Sequence, residues 1–530
     1  MGSDTSNNQS TGADAGAEGE TVSRGRLRNA IQAALPKERF GDHLTILSGT
    51  GQNIAGLAVF VLATFATNVL ISRVLGAAAL GVITLATQFA FVGGAATRFG
   101  MDMAAVRRVA IDVGRGAAGR ARPVMARAAI IAATVSAVGA LLVFLGAGRL
   151  ASSLAGTPAA FRAAALALPF VALCQVYLGG TRGLKVMRHT LSIYWVGQPV
   201  LWIAAMALGW AVRKSIGVSV LAYAVSWFLA TLAAWYVWER ETRAFSPLPV
   251  EPGEVRELIR YGAPRAPAAL LAQLLFWTDY FVFSHYAKGA ELGVYAAAVR
   301  VAQALVLFLI AVNYMFSPFV ADLNARGERD RLDHLFKTLT RWVVAGTLPI
   351  LLLLAIVTGP VLHLFGSGFE SGTTALRILL IGQAVNVATG SVGFILIMVG
   401  RTGWDLAIYA GSFLLDLAVA FALVPHLGAE GAAAAQAITL VASNAARLFL
   451  VWRFLRIQPF DRNYLRLAIP AGLGGLAMLG AHVLLRRSAW SVDLVISGAV
   501  GAVVYLAALV SFGLARAERV ALKRVLGNVG

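Results

Sequence analysis

"YGAPRAPAALLAQLLFWTDYFVFSH" (Tyr261–His285) is an apolar run with one carboxylate, Asp279, set deep inside it. At 1.5 Å per residue, about 20 such residues cross a ~30 Å hydrocarbon layer as a helix. Stretches of this kind recur along the chain, which is 58% hydrophobic and only 13% charged. Its mean hydropathy is +0.73. So few polar side chains cannot cover the surface of a 530-residue soluble protein. The short alternating strands of a membrane β-barrel are missing. The sequence therefore predicts an all-α polytopic membrane protein.

The net charge of +19 would suggest nucleic acid in a soluble chain, but 39 of the 45 basic residues are arginine and they follow a topological pattern. Fourteen candidate spans run from Thr50–Ser72 to Val492–Leu514. The N-terminus, the C-terminus and the alternate loops (around Arg107, Arg182, Arg240, Arg326, Arg401 and Arg453) hold about 32 Lys/Arg; the other seven loops hold about seven. By the positive-inside rule both termini are expected in the cytoplasm. A miscount by one span would destroy the alternation. Residues 1–45 read as a polar, acidic tail followed by a basic helix, "SRGRLRNAIQAALPKERF", lying on the membrane surface. The opening "MGSDTS" fits a myristoylation pattern, although a polytopic chain needs no lipid anchor. The single cysteine, Cys174, excludes an internal disulfide and a cysteine metal cluster.

The sequence also repeats itself at an offset of about 212 residues. "LGVITLA" at Leu80 matches "LGVYAAA" at Leu292, "SIGVSVLAYA" at Ser215 matches "HLGAEGAAAA" at His426, and "VMRHT" at Val186 matches "VGRTG" at Val399. A constant offset at three separated places indicates duplication. Each repeat holds six spans, so the halves share one orientation and a pseudo-twofold axis along the membrane normal. The expected organisation is a six-helix bundle at 46–239, a cytoplasmic linker at 240–260, a second bundle at 261–455, and an appended helix pair with a basic tail at 456–530.

Three stretches carry a family resemblance: "ISRVLGAAALGVITLA" (Ile71–Ala86), "TDYFVFSHYAKGAELGVYAAAVRV" (Thr278–Val301) followed by "SPF" at Ser317, and "LVPHLGAEGAAAAQAI" (Leu423–Ile438). The chain resembles the flippases of polysaccharide repeats and lipid-linked oligosaccharides, relatives of the lipid II flippases and MATE drug exporters. The resemblance implies a MATE-like fold in a bacterial inner membrane. It also implies alternating-access transfer of an undecaprenyl-pyrophosphate-linked oligosaccharide to the outer leaflet for surface polysaccharide synthesis. The implied partners are this glycan substrate, membrane lipids, a polysaccharide polymerase and glycosyltransferases. Two readings stay open beside it, a cation-coupled exporter of small cationic compounds and a lipid II flippase. Members often carry cavity arginines in the first helices, whereas spans one and two here hold Asn53, Asn68, Thr84, Thr87 and Gln88 but no mid-membrane cation.

Embedded ionisable groups are costly and are functional candidates by default. Arg127, Arg162, Arg265, Arg377 and Arg447 lie within about five residues of predicted helix ends, close enough to snorkel to the interface. Asp279, Arg300 and Asp416 do not. By residue count Asp279 and Arg300 lie at similar depths, about 9 and 12 Å, on helices joined by a short loop, so an ion pair between them is expected, either as a lock or as a gate. Gln88 and Asn313, with other embedded amides, are candidates for lining a wet cavity, or for bonding between helices. No metalloprotease, Walker or nucleophile-elbow motif is present, and no enzyme activity, cofactor or metal is expected. A cytoplasm-active reporter fused after Gly530 and another inserted in the Arg240–Arg260 linker should both be active; activity at the first with none at the second contradicts the two-bundle topology.

Overall fold

The computed structural model describes residues 59–513, apart from 247, 250–252 and 264. The expected N-terminal tail and surface helix and the basic C-terminus lie outside the described residues. Every regular element described is helical. This is what hydrocarbon demands, since each backbone N–H and C=O must be bonded within its own segment. Numbered along the chain, the principal helices begin with α1 (Val59–Leu75), α2 (Ala77–Thr97), α3 (Met101–Gly114), α4 (Ala121–Ser153), α5 (Pro158–Gly183), α6 (Gln198–Val212) and α7 (Ile216–Thr242). There follow α8 (Glu254–Gly262), α9 (Arg265–Leu274), α10 (Thr278–Tyr286), α11 (Glu291–Gln303), α12 (Leu307–Ala325) and α13 (Arg329–Ile356). The last are α14 (Thr373–Ala388), α15 (Val392–Met398), α16 (Thr402–Leu455), α17 (Ala468–Leu484) and α18 (Trp490–Ala508).

Among the described residues, ten helices are long and apolar enough to cross a membrane, or twelve if each of two bent pairs, α8–α10 and α14–α15 with its preceding turn, is one span. The expected fourteen would also require the shorter α1 as a span and a division of α16 at Gly428, whose φ of 55° and ψ of −128° interrupt that helix. Large apolar side chains face outward, Val212 being 91% exposed, Leu484 86% and Leu208 76%. In water such a surface would aggregate; in a bilayer it faces lipid.

Sequence chemistry sets the helix ends. Thr157 accepts a hydrogen bond from the Ala160 N–H with Pro158 just inside α5, and Ser215 does the same for Val218 N–H at the start of α7. The duplicated turns before "LGV" both use a left-handed glycine, Gly76 at φ 86° and Gly289 at φ 55°. Residues 254–262, expected in part to be linker, form α8, which docks on α3 through Glu257 and Arg108 (3.0 Å) and on α4 through Glu254 and Arg127 (2.5 Å).

The buried apolar residues divide in a telling way. One cluster draws on both halves of the chain, from Ile71 and Leu80 through Phe161 to Tyr295, Leu362 and Ala435. A second (Leu309–Leu467) uses only the C-terminal half, and a third (Met101–Leu258) only the N-terminal half and α8. The second and third lie toward the arginine-rich loops. In the third, Gly180 is wedged between Met125 and Trp238, where an added Cβ would come within 2.1 and 2.7 Å of their side chains. Gly180→Val should therefore lower stability in detergent by about 1–3 kcal/mol through overpacking. An unchanged melting temperature would contradict this packing.

Candidate functional site

Asp279 stands where a span breaks. α9 ends at Leu274, α10 starts at Thr278, and the helix bends by 60° between them. The break frees backbone groups that neighbouring side chains must meet. The Gln436 amide, on the second half of α16, donates to the Phe276 carbonyl at 3.4 Å, and Thr278 Oγ1 donates back to Leu274 O at 2.8 Å. The same Gln436 Nε2 also reaches Asp279 Oδ1 at 3.4 Å. Asp279 Oδ2 accepts the hydroxyl hydrogen bond of Tyr295 on α11. The Tyr295 ring is fixed by stacking on Tyr280 (6.1 Å) and by the edge of Phe283 (5.3 Å). Asp279 also lies in the first turn of α10, where the helix dipole favours negative charge.

Asp416, on the first half of α16, lies in the electrostatic field of Asp279. Thr439 Oγ1 donates to its Oδ1 at 3.4 Å, while its Oδ2 has no hydrogen-bond partner. Both carboxyls are 0% exposed. Among the described residues neither forms an ion pair; their hydrogen-bond partners are neutral. Two neighbouring carboxylates in a low-dielectric setting cannot both stay charged without a compensating positive charge, which a proton or a small cation supplies.

The expected Asp279–Arg300 ion pair is not formed. Arg300 instead lies 4.9 Å from the centroid of the Trp277 ring, and its Nη1 donates to Gln303 Oε1 at 3.4 Å, leaving Nε without a partner. The reason is angular. Tyr295 and Arg300 are five residues apart on α11, about 140° around the helix. The face that meets Asp279 thus turns Arg300 away, and equal depth does not bring them together. Arg447 is a second correction. It is 8% exposed and does not snorkel, but pairs with Asp405 (3.8 Å) across α16 and lies over Tyr409 (5.0 Å).

Of the other candidates, Gln88 is buried on α2 and Asn313 on α12, 13 residues beyond Arg300, about 20 Å along the chain direction. No hydrogen bond brings either onto the two carboxyls. The sequence reading missed Tyr295, Gln436, Thr439 and Trp277. Gln436, a lone amide in "AAAAQAI", carried the signal that could have found it.

A family model for polysaccharide biosynthesis proteins matches residues 47–321, over half of the chain. The chain belongs to that family. A MatE family model matches residues 264–422. No curated protein matches the chain by sequence. Among solved structures, the lipid II flippase MurJ in an inward closed conformation is similar at a TM-score of 0.67, with 12% identity over 86% of this chain and 97% of that one. An inward-facing multidrug resistance MATE transporter matches at 0.61, with 14% identity over 75% and 94%. The Vibrio cholerae MATE transporter VcmN in its bent form matches at 0.55, with 16% identity over 78% and 98%. The fold is MATE-like, as expected, and the chain is a multi-pass membrane protein.

Hydrogen-bonded neighbours should couple energetically and unpaired ones less. In a double-mutant cycle read by thermal unfolding, Asp279→Asn and Tyr295→Phe should show an interaction energy of about 0.5–3 kcal/mol, and Asp279→Asn with Arg300→Gln a smaller one. The reverse order would restore the ion pair.

Proposed function

We propose that this transporter moves a lipid-linked oligosaccharide, of the undecaprenyl-pyrophosphate type, from the inner to the outer leaflet of a bacterial inner membrane by alternating access. Both termini then lie in the cytoplasm, and the product feeds surface polysaccharide assembly, with glycosyltransferases upstream and a polymerase downstream. One observation carries the reading beyond family membership. Arg300 is embedded, its Nε is unpartnered, and among the described residues no carboxylate pairs with it. A guanidinium kept in a low-dielectric layer without an anion is a costly arrangement unless an anion visits it. A pyrophosphate is the anionic part of this class of cargo, and guanidinium binds such oxygens in a fork geometry. Gln88 and Asn313 are proposed to line the route.

Asp279 and Asp416 are proposed as the coupling site, holding one proton or one small cation between them. Binding of that charge would alter the hydrogen bonds at the α9–α10 break. The same two carboxyls favour a second reading, export of small cationic compounds, in which they would meet the cargo itself.

Deletion of the protein should trap lipid-linked repeats on the inner leaflet and remove a surface polymer. Arg300→Gln should fail to restore export while remaining folded, and so should the Asp279→Asn/Asp416→Asn double variant. An unchanged surface glycan with new sensitivity to cationic dyes would move the assignment to the exporter reading.

A further inference from the structure

The two copies of the repeated "LGV" motif meet each other. A Cβ built on Gly81 would lie 2.7 Å from Gly293 N, and one built on Gly293 would lie 1.8 Å from Ala77 O. The obstacles are backbone atoms, which cannot swing aside as a side-chain tip can. Tyr280 Oη, on α10, donates to the Gly81 carbonyl at 3.0 Å, so the crossing of α2 and α11 is also hydrogen-bonded.

Further bonds join the halves at this same arginine-poor end. Arg73, at the end of α1, donates from Nε to Leu364 O (2.9 Å) and from Nη2 to His363 O (2.6 Å), beyond the end of α13. Its guanidinium also lies 5.9 Å from the Trp490 ring centroid on α18. The Ala155 N–H donates to Ser284 O (2.7 Å), and His285 Nδ1–H donates to Ser153 O (2.6 Å). Phe65 and Phe365 pack edge to face with centroids 5.2 Å apart. The segment that Arg73 holds is itself braced, because His363 bonds Glu370.

At the opposite end the apolar core divides. Among the described residues, one cluster lines the C-terminal half and another the N-terminal half with α8, and neither crosses over. The cluster shared by both halves includes Leu80, Leu292, Val361 and Leu362.

We infer that the duplicated glycines Gly81 and Gly293 are the steric seal of a gate at the arginine-poor end, latched by Arg73 and His285, and that this structure is the state closed there. The inference rests on the alternating-access reading and deepens it, by naming the residues that must part before cargo can leave. It also gives the duplicated motif a physical purpose. The same short entry, copied in both halves, yields two helices bare enough to cross at backbone contact, as small residues permit in membranes.

The test reads conformation and needs no cargo. The Ala155–Ser284 backbone hydrogen bond sets those residues side by side, so an Ala155→Cys/Ser284→Cys pair should oxidise to a disulfide in the closed state. Cys174, the only native cysteine, is buried and stays out of the assay. Adding Gly293→Val should lower cross-linking in membranes by about fivefold or more, since relieving a backbone overlap requires the helices to part. Gly411→Val, at a position with nothing within 4 Å, should leave it unchanged. Arg73→Gln removes two latch bonds without adding volume and should also lower the yield, which keeps the test decisive if Gly293→Val does not fold. Cross-linking unaffected by Arg73→Gln, and by Gly293→Val where that variant folds, overturns the gate. A fall in cross-linking in a protein that exports no glycan would leave the gate standing and remove the cargo assignment.

Discussion

A carboxylate inside a membrane must be met by something, and at Asp279 it is met by a phenol and an amide in place of a cation. The surrounding arrangement follows from that choice. Tyr295 has to be held by Tyr280 and Phe283, and Gln436 has to serve both the carboxylate and the carbonyl freed by the broken helix. Asp416 lies near enough to share the electrostatic problem without solving it. With Asp279 engaged on one face of α11, Arg300 is left on another over the Trp277 ring. Negative and positive sites are thereby kept apart. A fixed ion pair would have neutralised both.

The broken helix is tied to the N-terminal half at both of its ends. Through α8 it is held to Arg108 and Arg127; through α10 it is held to Ser153, Ala155 and Gly81. In its middle it packs on α16. Asp279 thus lies on a segment that touches both halves, as α11 also does.

Much of this architecture was legible in the sequence. Apolar runs of spanning length fixed the fold class, because hydrocarbon admits few alternatives. The repeat at Leu80 and Leu292 marked the helices that meet, and the glycines at 76 and 289 marked their turns. Asp279 and Asp416 stood out because carboxylates are costly in an apolar run. What failed was inference from depth. Residue counting gives height in a membrane but not azimuth, so Arg300 was matched to Asp279 when the helix turns it elsewhere. Arg447 was judged by its distance from a helix end, and its partner Asp405, 42 residues earlier, becomes visible only once α16 folds back at Gly428. Gln436 and Tyr295 were hidden for another reason. An amide or a phenol in a span is cheap enough to be structural, and only the geometry shows what each one bonds.

The most direct measurement is leaflet transfer by the purified protein in vesicles, following a polyprenyl-pyrophosphate-linked oligosaccharide under an imposed proton or sodium gradient. The wild type should show gradient-dependent transfer, Arg300→Gln should lose transfer, and Asp279→Asn/Asp416→Asn should lose the gradient dependence. Transfer at the wild-type rate by both variants, or movement of a cationic dye with none of the glycan, would contradict the assignment.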